Sequence, residues 1–106
     1  MYTFSFVFTK TKAMKYISHL DLMRLFTRAF RRAGFALKMT QGFSPHPKFS
    51  IKRALKLGLE SENELASVSL RERLDTRDFQ ERLQKQMPEG ITIKQVYEEV
   101  KSKFSD

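Results

Sequence analysis

The chain has 106 residues, about the size of one average domain, so we expect a single domain over residues 1–106. It contains no cysteine, which excludes a disulfide framework, a thiolate nucleophile, a Cys-rich zinc site and an iron–sulfur cluster held by the chain itself. A hydrophobic content of 41% excludes a disordered chain, and without an apolar run of membrane-spanning length or a signal peptide we expect a soluble cytoplasmic protein.

The net charge of +8 is concentrated in the first half of the chain. Residues 1–56 carry 12 Lys and Arg against one acidic residue, Asp21, whereas residues 57–106 carry 8 basic and 11 acidic residues. Such a concentration of positive charge attracts a polyanion, and nucleic acid, an anionic membrane surface and an acidic protein are the usual ones. The alternative is a charged face that serves only solubility.

Residues Tyr2–Thr9 predict the first strand. Aromatic and smaller residues alternate there with period two, which is typical of a strand with one buried face. We expect Phe4, Phe6 and Phe8 in the core, with the intervening side chains on the open side of the sheet. Lys10–Tyr16 breaks the alternation and indicates a basic turn.

An amphipathic helix is predicted from Ser18 to Ala33. Ser18 is a favourable N-cap, Asp21 is its capping-box partner, and Gly34 stands where a helix C-cap belongs. Apolar residues lie on one side of this helix, and four arginines lie on the other: Leu22, Met23, Phe26, Ala29, Phe30 and Ala33 against Arg24, Arg28, Arg31 and Arg32. An arginine stripe suits bidentate binding of phosphate or carboxylate, although it is also compatible with a solvated face paired with the acidic half of the chain.

The middle of the chain, residues 36–56, is predicted to be extended. Within it, the prolines on both sides of His46 make Gln41–Pro47 a stiff loop, because each proline fixes its own φ and restricts the residue before it. A turn is expected at Glu60–Asn63, followed by a strand over Ala66–Leu70.

A second helix and a last strand complete the predicted order. Asp75 is the N-cap of the helix, whose apolar stripe runs from Phe79 to Met87 before Pro88 and Gly90 end it. A strand follows from Ile91 to about Tyr97, with a charged tail after Val100. The order βαββαβ predicts an α+β, ferredoxin-like fold: a four-stranded antiparallel sheet with both helices on one face.

The two histidines are candidate catalytic residues. His19 lies in the first turn of the first helix and His46 in the stiff loop. If the fold brings them together, they could share acid and base roles in a metal-independent cleavage of RNA. The alternative is that both are hydrogen-bonded and catalytically idle, and a metal site from these histidines with Asp21 is favoured less still.

Exposed aromatic residues are candidates for stacking on RNA bases. Because the phenylalanines of the first strand are expected in the core, Phe43 in the loop and Tyr16 before the helix are the better candidates. Lys48–Ile51 does not match the Gly- and aromatic-rich signature of ferredoxin-like RNA-binding modules.

Three ordered motifs resemble those of the radical-SAM-linked protein family, a domain of unknown function: Tyr16–Asp21, Arg28–Ala33 and Gly42–Lys48. The resemblance implies a gene beside, or fused to, that of a radical SAM protein, often near ribonuclease E/G-type genes, and no established activity. It points to the residues singled out above, namely Ser18, His19, Asp21, Arg28, Arg31, Arg32, Gly42, Phe43, Pro45, His46, Pro47 and Lys48. Residues 51–56 are more basic than the family pattern, and family members tend to be longer, so the chain is either a short member or an N-terminal part.

We therefore expect an accessory module that binds structured RNA and presents it to a radical SAM partner, with no cofactor or metal of its own. The expected anion-binding residues are Arg24, Arg28, Arg31, Arg32, Gln41, Phe43, Lys48, Lys52 and Arg53, with Ser18, Asp21, Gly42, Pro45 and Pro47 as motif residues that shape the site. This hypothesis requires the arginines and the stiff loop to share one exposed surface. A small ribonuclease or RNA-modifying subunit using His19 and His46, and a module that binds the radical SAM protein directly, are the alternatives.

Overall fold

The structure is a computed structural model that describes residues 1–52 and 58–99. The elements follow one another in the predicted order: strand β1 (Tyr2–Lys10), helix α1 (His19–Arg32), strands β2 (Phe49–Ile51) and β3 (Ser61–Leu70), helix α2 (Thr76–Gln84) and strand β4 (Ile93–Glu99). A short 3₁₀ helix, Lys12–Tyr16, stands where the basic turn was predicted. Among the helices of the described residues, none has the length and apolar character needed to span a membrane.

The strands form one antiparallel sheet in the order β2-β3-β1-β4. This is the ferredoxin-like α+β arrangement, so the predicted fold class is confirmed. The central strand β1 pairs with β3 on one side, where Phe4 lies opposite Val68, and with β4 on the other.

Phenylalanine rings fill the space between the sheet and the two helices. Phe6 is fully buried and lies 5.6 Å from the Phe26 ring of α1 and 5.8 Å from the Phe79 ring of α2, measured between ring centroids. Phe4 stacks on Phe79 at 4.9 Å. The same face of β1 thus contacts both helices, which confirms the predicted core and leaves the opposite face of the sheet open.

Helix α1 begins and ends as its sequence predicts. The Ser18 hydroxyl accepts a hydrogen bond from the Asp21 backbone N–H at 3.1 Å. At the other end, Gly34 has a φ of +79°, and the N–H groups of Gly34 and Phe35 donate to the carbonyls of Arg31 and Phe30. This pair of bonds is a Schellman motif, which only a residue tolerant of positive φ closes without strain.

Strand boundaries differ from the prediction in three places. Strand β3 begins at Ser61, although the polar run from Glu60 predicted a turn, because Lys10 of β1 provides a backbone partner opposite Ser61. Strand β2 has only three residues, and β4 begins at Ile93 rather than Ile91. The predicted extended segment at 53–56 and the charged tail after Val100 lie outside the described residues.

Candidate nucleic-acid interface

The four arginines of the predicted stripe lie on the outer side of α1. Each is exposed, because the buried residues of the helix, such as Phe26 and Phe30, occupy the side that faces the sheet. Together with Lys85, which follows α2, they form what we call the arginine surface: Arg24, Arg28, Arg31, Arg32 and Lys85.

Two shallow grooves border the arginine surface. Arg24, Arg28 and Arg31 line the first, of about 350 Å³, and Arg28, Arg32 and Lys85 line the second, of about 370 Å³. Arg28 therefore stands between the two grooves. Neither groove has an acidic lining residue, so a ligand in either one meets only positive charge.

The acidic half of the chain does not neutralise the arginine surface within residues 1–52 and 58–99. The only carboxylate within ion-pair distance of it is that of Asp21, whose Oδ1 lies 3.7 Å from Arg24 Nη1. Arg28, Arg31 and Arg32 have no such partner in this part of the chain. Within the described residues, these three guanidinium groups therefore do not pair with the acidic half of the chain.

Within the described residues, three acidic side chains of the second half form ion pairs elsewhere, those of Asp78, Glu89 and Glu98. Glu98 pairs with Arg73 at 3.1 Å, and Glu89 pairs with Lys12 at 2.9 Å. The hydrogen bond from Lys12 and then its charge hold the pKa of the Glu89 carboxyl below its ordinary value, and the same hydrogen bond raises the pKa of Lys12.

The predicted stiff loop is the tip of a hairpin that leaves the sheet beyond Ser69. The Lys48 N–H donates to the Lys38 carbonyl at 2.8 Å, and the Thr40 N–H donates to the His46 carbonyl at 2.7 Å. Lys38 and Lys48 are in turn bonded to the two backbone groups of Ser69. These bonds tie both strands of the hairpin to β3.

His46 is held by the hairpin itself. Its Nδ1 lies 3.1 Å from the Ser44 carbonyl oxygen and 3.2 Å from the Thr40 hydroxyl. Because a carbonyl oxygen only accepts, the contact with Ser44 places the ring proton on Nδ1. Nε2, on the other side of the ring, points away from these partners.

A groove of about 290 Å³ lies between the hairpin and the sheet. We call it the serine groove, and the lining residues that matter below are Thr40, His46, Lys48, Ser50, Ser67 and Ser69. Ser67 and Ser69 alternate with the buried Ala66, Val68 and Leu70, so their side chains lie on the open face of the sheet.

The arginine surface and the serine groove do not form one site. The first lies on the outer side of the helix layer, and the second opens on the sheet face that the helices leave uncovered. The grooves beside Arg28 share no lining residue with the groove that contains His46 and Lys48. The single surface expected from the sequence is therefore replaced by two separate ones.

The two histidines lie at opposite ends of the molecule. Helix α1 runs from the Lys10 end of the sheet toward the Phe4 end, since Phe26 contacts Phe8 and Phe30, one turn later, contacts Phe6. His19 precedes Phe26 by seven residues, whereas His46 lies beside Ser69, which pairs with Thr3. From strand and helix rises the separation is on the order of 20 Å, so the fold does not bring the two imidazoles together.

Three further predicted site residues lie at or near the hairpin and β2. Gln41 and Phe43 are exposed at the hairpin tip, where Gly42 has a φ of +131° that side chains rarely adopt. Lys52 is exposed just after β2 and lies outside the serine groove. Arg53 lies outside the described residues. Tyr16, the other stacking candidate, is exposed next to α1, at the opposite end of the sheet from Phe43.

The hydroxyl-bearing residues of the serine groove were not predicted as site residues. Their signal in the sequence is weak, because serines at the alternate positions 67 and 69 of β3 are equally typical of an ordinary solvated sheet face. Lys10 and Glu64, both buried, were also missed. Lys10 continues the buried face of β1, where the alternation of phenylalanines gives no reason to expect a lysine. No cluster of three metal-ligand side chains occurs in residues 1–52 and 58–99.

Comparison with known proteins gives a family but no activity. No curated protein matches the chain, and no solved structure matches it. One family model, described as "Uncharacterized protein conserved in bacteria (DUF2344)", matches residues 4–105, which is nearly the whole chain. The chain therefore belongs to this bacterial family of uncharacterized proteins, DUF2344.

Proposed function

We propose that this domain is an accessory RNA-binding module that holds the phosphate backbone of a structured RNA against the arginine surface. One observation carries the proposal. Arg28, Arg31 and Arg32 are exposed on one helix face, have no carboxylate partner within residues 1–52 and 58–99, and border two grooves without acidic lining.

The geometry of the helix suits a polyanion better than a single small anion. From Arg24 to Arg32 the arginine surface extends about 12 Å along the helix axis, so the guanidinium groups can contact several phosphates in succession. Guanidinium groups bind phosphate oxygens in pairs of parallel hydrogen bonds. Phosphates bound there would also relieve the repulsion between Arg24 and Arg28 and between Arg28 and Arg32, which are spaced i,i+4.

The hairpin has a separate role in this proposal. Because His46 and Lys48 open on the other face of the sheet, the backbone contact is assigned to the arginine surface alone. Phe43 is the fully exposed aromatic side chain at the hairpin tip, and it would stack on an unpaired base of an RNA long enough to reach it. The resemblance to radical-SAM-linked proteins supports the further proposal that this RNA is presented to a radical SAM enzyme.

The nuclease alternative has no geometric support. It requires His19 and His46 to act on one phosphodiester, and the structure holds them at opposite ends of the sheet. A mechanism with a histidine acid and a histidine base is therefore not part of the proposal.

Charge reversal on the arginine surface tests the proposal. We expect Arg28→Glu/Arg31→Glu to weaken binding of a stem-loop RNA by about 100-fold or more, because two charge-assisted contacts become repulsive. The measurement is fluorescence anisotropy with a labelled stem-loop. The matched control is Arg77→Glu/Lys94→Glu, which makes the same change of charge at exposed positions of α2 and β4.

The control separates a defined surface from bulk charge. Binding that survives in the Arg28/Arg31 variant, or that falls equally in both variants, contradicts the proposal. If wild-type protein fails to bind RNA but retains a radical SAM partner after nuclease treatment, the arginine surface binds an acidic protein instead. Far-UV circular dichroism of both variants verifies that α1 is intact.

A further inference from the structure

We propose that the serine groove is a second anion site, which binds the phosphate group of a phosphate monoester independently of the arginine surface. The groove is on the open face of the sheet, and the hydrogen-bond donors that line it come from three separate segments: the hairpin, β2 and β3. This inference does not rest on the RNA-binding proposal, because no residue is common to the two sites.

Two hydroxyl groups of the groove are available to a ligand. Ser50 of β2 and Ser67 of β3 are Cα partners in the antiparallel pair, so their side chains lie next to each other on the open face. Neither hydroxyl has a hydrogen-bond partner within the described part of the chain. The Ser69 hydroxyl, by contrast, is 2.9 Å from that of Thr3, which holds it in place at the edge of the groove.

Lys48 adds a positive charge to these hydroxyls. It precedes Ser50 by two residues, so its side chain is on the same face of the sheet. No carboxylate in residues 1–52 and 58–99 lies within ion-pair distance of its ammonium group, whose polar contact is the Met1 sulfur at 3.9 Å. An unpaired ammonium beside two free hydroxyls is a set of donors for an oxyanion.

His46 contributes the remaining ring nitrogen. Its Nδ1 is committed to the Ser44 carbonyl and the Thr40 hydroxyl, so the ring orientation is set before a ligand arrives. With the ring proton on Nδ1, Nε2 of the neutral ring is an acceptor, so it can take a hydrogen bond from the protonated oxygen of a phosphate monoanion but adds no donor to the site. The hairpin that carries this imidazole is held by backbone hydrogen bonds to β3, so little ordering is required on binding.

The size and lining of the groove favour a phosphate group over a base or a whole nucleotide. Its volume of about 290 Å³ lies at or below the lower end of pockets that enclose drug-sized ligands, about 300–1,000 Å³, and Phe49 is its one aromatic lining residue. Phe49 packs between the rings of Phe26 and Phe30 in the core. Apart from the His46 imidazole, the groove therefore has no exposed ring for base stacking, and a larger ligand would leave its remaining part in solvent.

NMR titration tests the site directly. We expect inorganic phosphate and adenosine 5′-monophosphate to shift the backbone amide signals of Ser67 and Ser69, and adenosine alone to leave them unchanged. Lys48→Gln is expected to weaken phosphate binding roughly tenfold, and Ser67→Ala several-fold, because each removes a donor to the anion. Lys94→Gln is the matched control, since it removes the same charge at an exposed position of β4, outside the groove.

Each outcome decides the inference. Equal weakening by Lys48→Gln and Lys94→Gln indicates general counter-ion binding and overturns the site, as does the absence of shifts at Ser67 and Ser69. Shifts produced equally by adenosine overturn the assignment to phosphate. Once the site is established, tighter binding of 5′-phosphorylated than of 5′-hydroxyl RNA identifies an RNA end as the source of the phosphate, and equal binding identifies a free nucleotide.

Failure of this site is distinguishable from failure of the RNA-binding proposal. We expect Arg28→Glu/Arg31→Glu to retain phosphate-induced shifts at Ser67, and Lys48→Gln to retain binding of 5′-hydroxyl stem-loop RNA. Loss of both activities in either variant would contradict the independence of the two sites.

Discussion

The salt dependence of RNA binding follows from the number of cations on the arginine surface. If all five contact phosphates, the slope of log K against log salt is about −4.5 by the duplex value and about −3.5 by the single-strand value. Affinity should then fall about 500-fold or about 130-fold, respectively, between 50 and 200 mM salt. Neutralising two of the five with Arg28→Gln/Arg31→Gln should reduce the slope to about −2.7 or about −2.1.

The assay is fluorescence anisotropy of a labelled stem-loop at four or more salt concentrations, for the wild type, the double variant and Arg77→Gln/Lys94→Gln. The reduced slope, rather than the affinity at one salt concentration, reports how many phosphate contacts are lost. A slope in the double variant equal to that of the wild type, or an equal reduction in the control, would refute the assignment of phosphates to the arginine surface.

Three further predictions concern stability and are measured by urea denaturation. Phe6→Ala should lower the free energy of unfolding by about 3–5 kcal/mol, because a fully buried ring that contacts both helices is lost; a loss below about 1 kcal/mol contradicts this packing. Gly90→Ala should cost more than about 2 kcal/mol, since Gly90 has a φ of +99° and an added Cβ would lie 2.4 Å from the Thr11 carbonyl oxygen; wild-type stability would contradict it. Lys12→Gln should lower stability slightly at neutral pH, and this difference should disappear as the pH falls through the lowered pKa of Glu89, because the protonated carboxyl no longer pairs; a difference that does not shrink as the pH is lowered contradicts the pair.

Local patterns along the chain were sufficient to predict the order of the strands and α-helices of this fold, although not all of their boundaries. The alternation in Tyr2–Thr9 and the helical period from Ser18 to Ala33 depend only on the geometry of the element itself, so they identify the buried side of β1 and of α1. Gly34 likewise marks the end of α1, because the Schellman bonds form between residues close in sequence. The exposed arginine face was predictable for the same reason.

Tertiary structure decided which of these elements lie next to one another. Arg28 and Lys48 lie on opposite sides of the sheet, because α1 covers one face and the serine groove opens on the other. The periodicity of a single element does not predict this arrangement. The distance between His19 and His46 and the pairing of Ser50 with Ser67 depend on long-range strand pairing, which burial of the shared phenylalanine core determines. The sequence by itself therefore determined the elements, their order and the side of α1 that carries the arginines, and the packing of those elements divided the expected anion site into two.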